Sequence, residues 1–162
     1  MNIDEKILNH PFFIGMNSVH AATIAKGAEP MTFETGDIVF REGEPANRFY
    51  LIESGRVLLE SGTNGKKKVP VQQLRGGDVL GWSWLFPPFS WHFQARALEP
   101  TRVLACNGGQ LLVACEENHE FGYELMRRIA HLVIQRLQAT RRAGLKLNVS
   151  DEAARTEHVW DK

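Results

Sequence analysis

The sequence predicts one mainly β domain flanked by helices, and three observations carry that reading. Between about residues 31 and 106, short runs rich in Val, Ile, Leu, Phe and Tyr alternate with turn pairs. Before residue 28 and after residue 108, apolar residues recur at helical spacing instead. The length, 162 residues, suits one domain with a full hydrophobic core.

The elements follow in order. Residues 3–28 place Ile3, Ile7 and Leu8, then Val19, Ile24 and Ala25, at helical intervals, and Pro11 and Gly15 divide the stretch into two or three short helices. The β region is punctuated by Thr35-Gly36-Asp37, Glu42-Gly43-Glu44-Pro45, Ser54-Gly55, Asn64-Gly65 and Gly76-Gly77-Asp78. Strands at such regular intervals imply a sandwich or barrel. Asn64-Gly65, between the strands at 57–60 and 69–71, reads as a hairpin tip, with Lys66, Lys67 and Lys68 as its solvated flank. Residues 109–115 suit a short helix. Residues 119–143 lack Pro and run to Gly144, which predicts one long helix with a glycine stop.

That helix has two apolar lines. Leu125, Ile129 and Leu132 form one, and Met126, Val133, Leu137 and Thr140 form a second beside it. A helix apolar on two faces needs two covers. The barrel supplies one, and the simplest second cover is the same helix of another copy in a two-fold homodimer through 119–143. The alternative is a wholly intramolecular helix under a lid.

Composition excludes several classes. Hydrophobic residues make up 43% and charged residues 23%, which rules out disorder and low complexity. With 19 Lys+Arg against 19 Asp+Glu, the chain has no bulk charge with which to hold nucleic acid. Cys106 and Cys115 are nine apart and form no C-x-x-C pair, so free thiols are expected rather than a disulfide or a zinc site. The N-terminus lacks the basic and apolar regions of a secretory signal, and no apolar run approaches the ~18–20 residues of a membrane span. A cytoplasmic location follows as the expectation.

No catalytic centre is expected either. There is no G-x-S-x-G, P-loop or G-x-G-x-x-G. His92 is the only histidine of the β region, so a jelly-roll metal site has too few ligands, and one candidate axial ligand is weak support for a haem cofactor. His119 and His131 are expected at the surface or an interface. The domain is therefore read as neither an enzyme nor a cofactor carrier.

Three segments carry a family resemblance. They are Gly36-Asp37-Ile38-Val39-Phe40-Arg41-Glu42-Gly43-Glu44-Pro45-Ala46, then Phe49-Tyr50-Leu51-Ile52-Glu53-Ser54-Gly55-Arg56-Val57, then Leu74 with Gly76-Gly77-Asp78-Val79-Leu80-Gly81. Together they closely resemble the cyclic-nucleotide-binding domains of the Crp/Fnr type, over roughly residues 10–145. The resemblance implies a β-roll of jelly-roll kind, whose corners need glycines, followed by a dimerisation helix that Gln135-Arg136-Leu137-Gln138-Ala139-Thr140 is similar to. It divides the chain into a domain over 1–145, with helices in 3–28, the roll at about 31–106 and helices at about 109–143, and a tail over 146–162.

The resemblance also implies where a ligand would bind. After the glycine that Gly81 matches, the family typically places a Glu on the ribose hydroxyl, then an Arg and a Ser or Thr on the cyclic phosphate. This sequence departs at each: Trp82 replaces the Glu, and counting back from Arg96-Ala97 puts Trp91 and His92 in place of the Arg and Ser. Cyclic AMP and cyclic GMP are therefore not expected to bind in the usual way. One expectation is a reshaped pocket for a different small, planar or apolar effector, with Trp82 and Trp91 as walls, Ser83, His92 and Arg96 as polar anchors and Thr140 as lid. The other is that Trp82, Trp84 and Trp91 fill the space as core, with Arg96 paired to a carboxylate on the barrel.

Family members that regulate transcription continue from the long helix into a helix-turn-helix domain. After Gly144 this sequence has residues 145–162, with three basic and four acidic side chains, so direct DNA binding is not expected. Arg127, Arg128, Arg136, Arg141, Arg142 and Lys146 are read as helix-surface charges, with Glu124 placed to pair with Arg127 and Arg128. Two functions from different classes remain. One is an effector-sensing domain that signals through an unidentified partner protein. The other is a ligand-free dimeric interaction scaffold with a Trp-filled pocket.

Overall fold

Side-chain caps set the helix starts in the computed structural model, which describes residues 2–62 and 68–142. Asn2 Oδ1 accepts from the Glu5 amide at 2.9 Å and Glu5 Oε2 accepts from the Asn2 amide at 3.1 Å, a capping box that opens α1 (Ile3–Asn9). Pro11 begins a single 3₁₀ turn (Pro11–Phe13), where its missing N–H leaves no bond unmade, and Asn17 caps α2 (Ser18–Ala25).

Among the described residues eight strands follow: β1 (Glu29–Phe33), β2 (Ile38–Phe40), β3 (Arg48–Ser54), β4 (Arg56–Ser61), β5 (Val69–Arg75), β6 (Val79–Leu80), β7 (Gln94–Ala97) and β8 (Thr101–Asn107). They pair antiparallel into two four-stranded sheets, ordered β1-β8-β3-β6 and β2-β7-β4-β5. The fold is the mainly β roll with flanking helices expected from the sequence. It closes with α3 (Gly108–Glu117), capped by Asn107, and α4 (His119–Arg142).

Two core layers explain why β3 and β8 are apolar without a break. Phe49 and Leu51 of β3, with Leu104 and Cys106 of β8, face Ile7, Phe13, Phe121 and Leu125 of the helices. Their alternate neighbours Tyr50, Ile52, Val103 and Ala105 face Val57, Leu59 and Ala95 of the other sheet. A strand covered on both sides loses the usual alternation. The tight link from β3 to β4 turns on Gly55, whose φ is +104°, and a Cβ there would fall 2.4 Å from Thr101 Oγ1. Pro70 is tolerated because β5 is an edge strand and the register shifts between Leu59 and Glu60 opposite it. The expected tip at Asn64-Gly65, with Lys66 and Lys67, lies outside the described residues, as does Gly144.

α4 is split by face. Phe121, Leu125, Ile129, Leu132, Arg136 and Ala139 are buried, while Val133, Ile134 and Leu137 are 37%, 54% and 51% exposed. The first apolar line thus packs on the roll; of the second, Met126 packs beside it, whereas Val133 and Leu137, with the neighbouring Ile134, stay uncovered in a single chain. Arg136 corrects the surface role expected for it: it lies four residues after Leu132 and faces inward. No helix of the described residues is long and apolar enough to cross a membrane.

Candidate ligand pocket

The pocket segment is shaped by what it cannot do. Pro87 and Pro88 remove two backbone donors, and residues 81–93 form turns and bends rather than a helix. Its end is instead zipped onto the β2–β3 connection. Ala46 N–H donates to the Phe89 carbonyl at 2.7 Å, Gly43 N–H to the Trp91 carbonyl at 2.8 Å, and Trp91 N–H to the Glu44 carbonyl at 2.9 Å.

This pairing drives the Trp91 side chain inward. Its ring stacks on Phe40, with centroids 3.8 Å apart and planes 11° apart, and leans on Tyr50 at 6.3 Å. The ring also comes close to Gly81, where a Cβ would fall 2.6 Å from it and φ is +97°. Glycine at position 81 is thus required twice, for backbone and for clearance. The space left over is about 20 Å³, walled by Phe40, Leu59, Leu80 and Trp91. That is room for about one water molecule, against the roughly 300–1,000 Å³ of ordinary ligand sites.

The other expected site residues are divided by the structure. Trp82, Ser83 and His92 border the same small space. Ser83 is buried, with Oγ 3.1 Å from His92 Nδ1, while His92 itself is exposed. Arg96 points away from the cavity on the face of β7 opposite Ala95, and its Nε donates to the buried Glu60 carboxylate at 2.8 Å. That bond and the charge of Glu60 raise the Arg96 pKa. Thr140 sits on α4, with its side chain outside the described part of the structure. Trp84 fills a different layer: it is 1% exposed, tilts against Phe49 at 5.8 Å, and its Nε1 donates to the Gly81 carbonyl at 3.1 Å. Of the three tryptophans expected as filler, Trp91 occupies the pocket interior and Trp82 its mouth.

Arg136 is the residue that sequence reasoning passed over. It borders the cavity, its Nη1 donates to Gln72 Oε1 and its Nη2 to the Val79 carbonyl at 3.2 Å, and its guanidinium lies 5.5 Å from the Trp82 ring centre. The available signal was its spacing of four and seven from Leu132 and Ile129. Arg128 is also turned inward, to the Phe12 carbonyl at 2.6 Å and the Ile14 carbonyl at 3.0 Å, and it pairs with Glu124 at 3.2 Å. A second, open cavity of about 760 Å³ lies along α4, with Asp78 and Glu124 set among Arg127, Arg128 and His131. Among the described residues, no group of three or more His, Cys, Asp or Glu is placed to hold a metal ion.

A two-sheet roll that carries a long, half-covered C-terminal helix has the architecture of a cyclic nucleotide-binding domain. The chain belongs to the cyclic nucleotide-binding domain family, whose profile matches residues 30–118. It is 25% identical over 128 residues to the CRP-like cAMP-activated global transcriptional regulator of Mycobacterium tuberculosis, a match that covers 79% of this chain and 57% of that protein. It therefore spans little more than half the length of that relative. Its fold is similar to the crystal structure of a Geobacter metallireducens protein assigned to cyclic nucleotide binding, with a TM-score of 0.75 and 30% identity over 85% of this chain and 99% of that one. The c-di-GMP responsive global regulator CLP of Xanthomonas campestris shares the fold at a TM-score of 0.68 and 18% identity, over 88% of this chain and 71% of that one.

Proposed function

We propose that this chain is a non-catalytic regulatory module whose pocket is held shut by its own aromatic ring, and that it does not take cyclic AMP or cyclic GMP in the way usual for its family. The observation that carries this reading is Trp91 stacked on Phe40 with about 20 Å³ left beside it. Trp82, Trp91 and His92 also stand where the family resemblance places the ribose and phosphate anchors. Losing those charge-assisted bonds removes about 3–6 kcal/mol, or on the order of 10²–10⁴ in affinity. A nucleotide would have to expel the indole as well.

Output runs through α4. Its uncovered Val133, Ile134 and Leu137 support a homodimer of the long helices, with the signal passed to a separate partner protein rather than to DNA. The inward turn of Arg128 and Arg136 leaves fewer cations on the helix surface for a phosphate backbone. Free thiols at Cys106 and Cys115, with the Cys106 pKa pushed up to about 12 by burial, fit the reducing cytoplasm.

The Ser83–His92 pair beside Trp82 at the pocket mouth favours a second reading, in which a small planar effector other than cyclic AMP or cyclic GMP enters by displacing Trp91. A thermal-shift panel of cyclic nucleotides and planar metabolites tests both. No change in melting temperature is expected from the closed pocket; a rise with one planar compound supports the second reading, and a rise with cyclic AMP contradicts both.

A further inference from the structure

A ligand needs volume, and the interior space beside Trp91 has almost none. The open cavity of about 760 Å³ along α4 falls instead within the range of ordinary ligand sites. Its apolar lining comes from Pro11 and Phe12 of the 3₁₀ turn, Val79 of β6 and Leu132 of α4. Its polar rim is a single line of α4. Tyr123, Arg127, His131 and Gln135 follow at steps of four, so they share one side of the helix over about 18 Å. That side is set about a third of a turn from Val133 and Leu137, the face read as the dimer contact.

The charges along the groove are unevenly engaged. Glu124, the partner expected for Arg127, is held by His20 Nδ1 at 2.8 Å and by Arg128 at 3.2 Å. Asp78 Oδ2 accepts the Arg75 amide at 2.9 Å, and its charge attracts Arg136. Arg128 is turned onto the Phe12 and Ile14 carbonyls. Arg127 is exposed, and among the described residues it makes no ion pair or hydrogen bond. Gln135 Nε2 lies 3.2 Å from His131 Nε2; an amide nitrogen only donates, so the imidazole carries its proton on Nδ1. The line thus offers an unengaged guanidinium fork with a neutral donor, Tyr123 or His131, one helical turn to either side.

We propose that this groove is a second ligand site, separate from the space beside Trp91, and that it takes a small aromatic carboxylate. The carboxylate sits on the Arg127 fork, which matches its two oxygens, with Tyr123 and His131 as flanking donors. The ring of the ligand lies over Phe12 and Leu132. A single negative charge suits the site, because the second charge of a phosphate monoester would face Asp78 and Glu124. The inference goes beyond the reading of the Trp91 pocket and does not depend on it.

Titration of the full chain with naphthylacetate, followed by backbone amide chemical shifts, tests it, because shifts tell the groove from the interior space where a melting temperature does not. Saturable shifts are expected over 76–79 and 123–135, with Phe40, Leu59 and Trp91 unmoved. The uncharged naphthylacetamide on wild type, and naphthylacetate on Arg127→Met, are each expected to bind about five- to tenfold more weakly, the loss of one charge-assisted contact at an exposed site. Arg127 holds nothing in the fold, so the variant is expected to keep the wild-type spectrum elsewhere. Naphthyl phosphate is expected to bind no more tightly than naphthylacetate, and tighter binding overturns the assigned ligand class. The proposal is overturned by an absence of saturable groove shifts up to about 10 mM ligand, some 3 kcal/mol of binding. It is equally overturned by shifts confined to the residues around Trp91, or by an Arg127→Met chain that binds naphthylacetate as wild type does. Shifts around Trp91 would contradict the closed pocket as well, whereas an unresponsive groove leaves that reading intact, so the two failures are read separately.

Discussion

Replacing Trp91 by alanine removes a ring that touches Phe40, Tyr50 and Gly81, and the paired strands around it cannot collapse into the space. Urea denaturation is expected to show a loss of about 3–5 kcal/mol; a loss under about 1 kcal/mol would place the ring in solvent. His10 makes a second residue-scale test. Its Nδ1 accepts the Phe12 N–H at 3.2 Å while its Nε2 lies 3.0 Å from the Ile52 carbonyl, which only accepts, so one neutral tautomer satisfies both. Burial lowers the His10 pKa below its ordinary 6.5, outweighing the bond to Ile52 and the charges of Asp78 and Glu53. A depressed folded value means the contribution is complete above about pH 6.5 and is lost as the pH falls through that lower value. Thermal melts between about pH 7.5 and 5 are expected to fall more steeply for wild type than for His10→Gln, whose amide cannot titrate. Parallel curves would show that His10 is not the titrating group.

At the scale of elements, α4 divides the account. Leu137→Glu places a charge at the centre of the uncovered face without touching the buried line, so sedimentation is expected to shift toward monomer while the melting temperature of the isolated subunit holds. A variant sedimenting like wild type would move the interface elsewhere. Much of this element was legible: the spacing of Leu125, Ile129 and Leu132 marked the packed face, and Val133 and Leu137 of the second line marked the open one, although Met126 of that line packs on the core. The burial of Arg136 was not, because composition and adjacency group arginines as surface charge and only its spacing from Ile129 and Leu132 betrays it, whereas Arg128 makes the expected pair with Glu124. The strands were readable from their turn pairs, whereas the double-sided burial of β3 and β8 requires knowing which sheet lies between the helices and the second sheet. Trp84 was placed in the pocket by its nearness to Trp82 in sequence, yet at a turn of irregular backbone neighbouring side chains enter different layers.

At the scale of the whole molecule, the roll has the architecture of a cyclic nucleotide-binding domain, and on the proposed reading its pocket is filled from within. Gly55 and Gly81 take positive φ at corners of the roll, and Gly81 also leaves clearance for the Trp91 indole. A fold can keep its frame while its cavity changes, because turn geometry and strand pairing do not depend on the residues of one loop. On the proposed reading, output through α4 then serves a partner protein or a different effector. Calorimetric titration of cyclic AMP into the full chain tests the central claim most directly. The closed pocket is expected to give no binding heat up to about millimolar ligand, weaker than about −4 kcal/mol, whereas a saturable isotherm with a micromolar Kd would contradict it.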